Sequence, residues 1–173
     1  MQFTTGQLLV HPHHGPVVVE GTTSRAVGGV ERDYVNLRVR RSDLVLSIPA
    51  DAAEEVGIRP VLSPDHLDEV MQVLRAPSDP FDKQFSRRMK DQQDRLLQGD
   101  LEVTAGVVRD LLRRDRADGL SPAEKDLLRR AQDPLVGELV EALGVSEERA
   151  EELLVAAVSG PVEPIPESPA HTG

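Results

Sequence analysis

The stretch PVVVEGTTSRAVGGVERDYVNLRVR, residues 16–40, reads as two strands meeting at Gly28-Gly29. Val, Thr, Tyr and Leu populate both halves, and such residues suit a pleated, half-buried surface. The glycine pair supplies the positive φ angles that a tight hairpin turn requires. Around this hairpin, QLLVHP (7–12) reads as a preceding strand and LVLSIP (44–49) as a following one. ADAAEEVG (50–57) gives one helical turn ending at Gly57, and IRPVL (58–62) a last short strand. Five short strands in so few residues predict a small barrel or a strongly twisted sheet.

From Ser63 the apolar period changes from two to that of a helix. SPDHLDEVMQVLRAP places a cap at Ser63 and proline at the first helical position, with Leu67, Val70, Met71 and Leu74 on one face. A second helix is predicted over about 80–98, ending at Gly99. Asp100 caps a third, whose stripe is Leu101, Ala105, Val108, Leu111 and Leu112 and which Gly119 closes. SPAE at 121–124 is a capping box opening a fourth, which runs to about Ala131 or past Pro134. Ser146 starts the last, through about Val158, and the Pro-rich stretch 159–173 is expected to be disordered. The expected fold class is therefore α+β, with a β domain over 1–62 and a compact all-helical domain of about five helices over 63–158.

Composition narrows the chemistry. The chain has 173 residues and no Cys, so disulfides, thiolate metal sites and cysteine catalysis are excluded. Neither a signal peptide nor a membrane-spanning run is evident, and a cytoplasmic protein is expected. HPHHG, residues 11–15, gathers His11, His13 and His14. On a strand the adjacent His13 and His14 would point to opposite faces, and Pro12 and Gly15 bracket them as in a turn. A turn is preferred over a metal-dependent hydrolase; no metal and no cofactor are expected. No nucleophile elbow, phosphate-binding glycine loop or HExxH helix occurs, so no enzyme is expected.

The net charge of −10 disfavours a free-standing nucleic-acid binder. The charge is uneven, however: residues 61–130 hold thirteen basic and fourteen acidic residues, whereas 131–173 hold one and nine. Lys83, Arg87 and Lys90, with Arg88 beside them, recur at helical spacing, as do Arg109, Arg113 and Arg116; Lys125, Arg129 and Arg130 form a third group. Ordinary solvated faces paired with Asp91, Asp94, Asp110, Asp115 and Asp126 account for this pattern. A basic nucleic-acid face accounts for it as well. Phe81, Phe85 and Met89 form an i, i+4 ladder of the kind found in cores, yet an apolar residue among cations is also how minor-groove wedges are built.

In PHHG (12–15), PADAAEEVGIRPV (49–61), QVLRAP (72–77), SRRMK (86–90), GD (99–100), VVRDLLRRD (107–115) and GLSPAEKDLLRRA (119–131), the chain resembles the CarD/CdnL family of bacterial RNA-polymerase-binding transcription regulators. The resemblance covers residues 1–157. It implies a Tudor-like polymerase-interacting β domain, shared with transcription-repair coupling factors, that docks on the lobe of the polymerase β subunit partly by strand-edge pairing. Arg25, Val27 and Ser47 match the polymerase-facing positions. It further implies a helical domain that meets the minor groove of promoter DNA at the upstream edge of the melted bubble and stabilises the open complex. Phe85 stands in the wedge position, and Arg87, Arg88, Arg114, Lys90, Lys125 and Arg130 match the DNA-facing basic surface. A monomer, associated with the nucleoid through polymerase, is implied. Phe85 replaces a family tryptophan and so lacks an indole N–H donor. Ser47 replaces a frequent arginine, Met89 an aromatic residue and His11 a tyrosine, which marks a divergent paralogue. A docking adaptor with little action on DNA is the alternative.

Overall fold

A computed structural model describes residues 2–161. Strands β1 (Leu8–His11), β2 (Gly15–Val27), β3 (Val30–Val39), β4 (Val45–Pro49) and β5 (Arg59–Pro60) form one antiparallel sheet in the order β4-β3-β2-β1-β5. The helical turn read at 50–57 is a 3-10 turn at Ala50–Ala52 followed by α1 (Ala53–Val56), and Gly57 ends it at φ 91°. Gly28 and Gly29 turn the β2–β3 hairpin with φ of 61° and 80°. PHHG is the β1–β2 turn, with His11 opposite Gly15.

A bulge in the hairpin decides which side chains face out. Val19 pairs with Leu37 but Gly21 pairs with Asn36, so Glu20 is an extra residue on β2. Before the bulge, Val17 and Val19 enter the core with Val35, Leu37 and Val39. Beyond it the parity reverses, because a one-residue slip sends every later side chain to the other face. Odd-numbered Arg25 and Val27 therefore leave the core side.

The helices α2 (Pro64–Arg75), α3 (Phe85–Leu97), α4 (Leu101–Ala117), α5 (Pro122–Leu143) and α6 (Glu147–Ser159) follow. Ser63, Asp100, Ser121 and Ser146 each accept the backbone N–H three residues on, which supplies partners for otherwise orphaned amides. The second core joins Leu67, Val70, Leu74, Val108, Leu111, Leu127, Leu135, Leu139 and Leu154. One boundary differs from expectation, and one left open is decided. The second long helix begins at Phe85 rather than 80; the Asp82 carboxylate takes the Gln84 N–H at 2.8 Å in a local turn that competes with helix there. α5 runs through Pro134 to Leu143, carried by buried Leu127, Leu128 and Ala131 before the proline and Leu135, Val136 and Leu139 after it. Most of the stretch read as disordered, from residue 162, lies outside the described residues. Among those described, no helix is long and apolar enough to cross a membrane.

The sheet unit rests on α5. Gly137 faces Pro16 so closely that a Cβ there would lie 2.9 Å from the proline Cδ. Next to it, Glu138 is 1% exposed and takes Arg59 at 2.6 Å and the Leu62 N–H at 3.4 Å. Burial pushes the Glu138 carboxyl up from its ordinary value, with Arg59 and the Leu62 amide opposing. Arg40 reaches Glu141, and Arg41 reaches Asp133 and Glu147. Gly137→Ala should destabilise the chain by about 1–3 kcal/mol in urea unfolding through the clash with Pro16. Helix propensity alone would favour Ala by about 1 kcal/mol, so a net loss reports the contact.

Candidate docking face and nucleic-acid interface

Arg25, Val27 and Ser47 share the outer face of the sheet. Arg25 pairs with Arg32 and Val27 with Val30 across the hairpin, while Ser47 pairs with Asn36 on the other side of β3. All three are exposed, and Ser47 sits on β4, an edge strand with one side open to further pairing. The Arg25 guanidinium lies over the Tyr34 ring, 5.5 Å from its centroid. A hydrogen-bond chain holds the face: Ser47 Oγ donates to Asn36 Oδ1 at 2.9 Å, and Asn36 Nδ2 donates to Thr23 Oγ1 at 3.4 Å. Val27 at 57% and Val30 at 68% exposure add an apolar hairpin tip.

The second surface is organised around Glu124, the last residue of the α5 capping box. Its Oε2 accepts the Ser121 N–H at 2.9 Å, and its own N–H goes back to the Ser121 hydroxyl. Its Oε1 accepts two N–H groups of Arg88, at 3.0 and 3.2 Å, and lies 3.4 Å from Arg114 Nε. Arg88 also donates to the carbonyls of Asp82 and Lys83. One carboxylate thus ties the start of α3, the end of α4 and the start of α5. Burial alone would raise the Glu124 pKa. The Ser121 amide and hydroxyl, and then Arg88, outweigh it and hold the carboxyl below its ordinary value of 4.5.

The basic residues named from sequence separate in the structure. Arg87, Lys90, Lys125 and Arg130 are exposed, whereas Arg88 is 5% exposed and internal. Arg114 is partly buried beside it. Arg109 and Arg113, read as one basic face with Arg116, are scaffold: Arg109 binds Asp79, Asp110 and the Val73 carbonyl, and Arg113 binds the carbonyls of Ala76 and Val158. Of the exposed cations, Arg87 lies 3.9 Å from Asp82, Lys90 3.8 Å from Asp94 and Arg130 3.1 Å from Asp126. Arg130 also lines a cleft of about 690 Å³ between sheet and helices, with His13, His14 and Arg41.

The ladder divides: Met89 packs against the helical core, and the two rings do not. Phe85 is 46% exposed at the first turn of α3, and Phe81 is 58% exposed in the preceding loop. The Arg88 guanidinium lies 5.7 Å from the Phe85 ring centroid and that of Arg114 5.4 Å from Phe81. The role of Glu124 was not read from sequence beyond its place in the capping box. As for the histidines, His11 Nδ1 accepts the His13 N–H at 3.1 Å, and the His11 ring lies 4.7 Å from that of His14. Burial, then His14 and His13, lowers the His11 pKa to about 4. Among the described residues no group of three or more His, Asp or Glu is placed to hold a metal ion.

Residues 3–62 match the CarD-like/TRCF RID domain, and residues 69–155 match the CarD C-terminal domain. The chain belongs to the CarD family. YdeB of Bacillus subtilis (strain 168), provisionally named a transcription factor, is 26% identical over 147 residues, spanning 85% of this chain and 96% of YdeB. Membership places the chain among transcription regulators, and the two family domains imply interaction with RNA polymerase.

Glu124→Gln keeps the shape and the hydrogen bonds of the cap but strands the buried Arg88 charge. A loss of about 3–5 kcal/mol is expected in chemical denaturation near pH 7. Because the folded carboxyl titrates below 4.5, its contribution is complete above that value and lost as pH falls through the folded pKa. The stability curves of wild type and variant should therefore converge in acid.

Proposed function

We propose that this CarD-family chain docks on the β-subunit lobe of RNA polymerase and stabilises the open promoter complex from the upstream edge of the melted bubble. The outer sheet face with Arg25, Val27 and Ser47, and the free edge of β4, make the docking contact. Phe85 is the wedge at the minor groove, flanked by Arg87, Lys90, Lys125 and Arg130. Arg88 and Arg114 serve from beneath, holding the aromatic residues and their loop on Glu124. The protein acts as a monomer and reaches the nucleoid through polymerase.

The observation that carries this reading is the half-exposed Phe85 on a helix start fixed by a buried ion pair. A wedge must be apolar and must resist being pushed aside, and Phe85 meets both conditions. The net charge of −10 explains why docking is needed. A tether raises the local concentration of DNA, so weak contacts suffice. Binding of the isolated protein to duplex DNA is accordingly expected to be weak and salt-sensitive.

The adaptor reading draws on the carboxylates beside Arg87, Lys90 and Arg130, which reduce the charge offered to phosphates. Co-purification with polymerase followed by an open-complex lifetime assay separates the two. Arg25→Glu should abolish co-purification. Phe85→Ala should leave it intact and shorten the lifetime about fivefold or more, the lower range for loss of one aromatic contact to a base. Polymerase binding with no change in lifetime identifies an adaptor, and absence of both rejects docking and DNA action together.

A further inference from the structure

Phe81 is the larger anomaly of the two rings. It lies outside α3, it belongs to neither apolar core, and it is more exposed than Phe85. Yet it is held from one side, because Arg114 lies over its ring as Arg88 lies over Phe85. The two guanidiniums share a single anchor, Glu124 Oε1. Arg88 also binds the carbonyls of Asp82 and Lys83, so the loop joining the rings is pinned from below. The outcome is two phenyl rings, each about half exposed and each with a guanidinium over it.

The surroundings select the partner. Lys83 lies between the rings in sequence and Lys125 follows the anchor; both are exposed, and neither pairs with a carboxylate among the described residues. Flat apolar faces set among free cations suit an anionic chain carrying planar groups, which is a single-stranded nucleic acid. A ring covered on one side by a guanidinium offers one side for stacking. That arrangement suits one unpaired base per ring. A guanidinium behind the ring also leaves the site cationic as the base arrives.

We propose that Phe81 and Phe85 form a two-ring platform that stacks two unpaired nucleobases, with Phe81 the second base-contacting residue beside the wedge. This rests on the reading that the α3 start faces melted promoter DNA. The platform presents its rings together because Glu124 positions both arginines.

The test uses the full chain with RNA polymerase on a promoter fragment, comparing Phe81→Ala, Phe81→Leu, Phe81→Tyr and Phe85→Ala. Phe81→Ala and Phe81→Leu should each shorten open-complex lifetime about fivefold or more, while Phe81→Tyr stays near wild type, because stacking needs a flat ring. Co-purification with polymerase and melting temperature should be unchanged. Abasic nucleotides placed along the upstream edge of the bubble should then reveal one position at which Phe81→Ala has no further effect, distinct from the position that silences Phe85→Ala. If Phe81→Ala matches wild type while Phe85→Ala shortens the lifetime, the platform is overturned and the wedge reading stands. If neither variant alters the lifetime, the DNA reading itself fails. Retention of wild-type lifetime by Phe81→Leu, or loss of polymerase binding by Phe81→Ala, would also overturn base stacking, in favour of a shapeless apolar contact or a protein contact respectively.

Discussion

The carboxylate of Glu124 is the constraint on which the helical unit depends. It is almost wholly buried, and a buried charge is tolerated only when hydrogen-bonded partners replace the water it has lost. The Ser121 amide and two N–H groups of the Arg88 guanidinium donate to it, and Arg114 adds an ion pair with its Nε at 3.4 Å. The dependence is mutual. Arg88 is nearly as buried as its partner and has no other carboxylate among the described residues, so α3 cannot leave without taking from Glu124 its nearest cation. What would be a frayed helix start, with no side-chain cap at Gln84, becomes a fixed surface.

A second buried acid shows what sets the outcome. Glu138 is as enclosed as Glu124, but only Arg59 and one long amide contact compensate it, and Glu141 adds like charge. Its pKa moves up where that of Glu124 moves down. Burial is the largest influence at Glu138 and is not overcome, whereas at Glu124 the Ser121 and Arg88 contacts together outweigh it. Glu138 also works between units rather than within one. It joins the strand-to-helix connection to α5 beside the tight Gly137–Pro16 contact, so polar and steric fits together position the sheet on the helices.

Much of this was legible in the sequence because local rules agree with the fold. The Gly28-Gly29 turn, the PHHG turn, the caps at Ser63, Asp100, Ser121 and Ser146 and the apolar stripes each have a local cause. What stayed open in the sequence has a common one: a partner distant in the chain. The i, i+4 spacing of Phe81, Phe85 and Met89 is identical for a core ladder and for rings turned outward. What separates them is a loop fixed by Asp82 and by Arg88 acting through Glu124, 36 residues away. Arg88, Arg109 and Arg113 share spacing with solvated arginines and differ only in the carbonyls and carboxylates that the folded chain brings to them. The bulge at Glu20 could be suspected from Gly21, but its effect on Arg25 and Val27 appears only in the pairing with β3.

The acidic balance of the chain is partly structural. Asp133, Glu138, Glu141 and Glu147 lie in the segment that carries most of the net charge, and each reaches an arginine of the β unit: Arg59, Arg40 or Arg41. The exposed members of this set contribute little singly, since surface pairs are worth about 0–1 kcal/mol. Together they give the sheet an electrically favoured seat along α5 and the start of α6. Part of the acid therefore serves to join the two units. At the opposite end of α5, buried Glu124 is engaged by Ser121, Arg88 and Arg114, and Lys83 and Lys125 have no carboxylate partner among the described residues. Net charge describes how the halves adhere, and local charge describes what the α3–α5 face can bind.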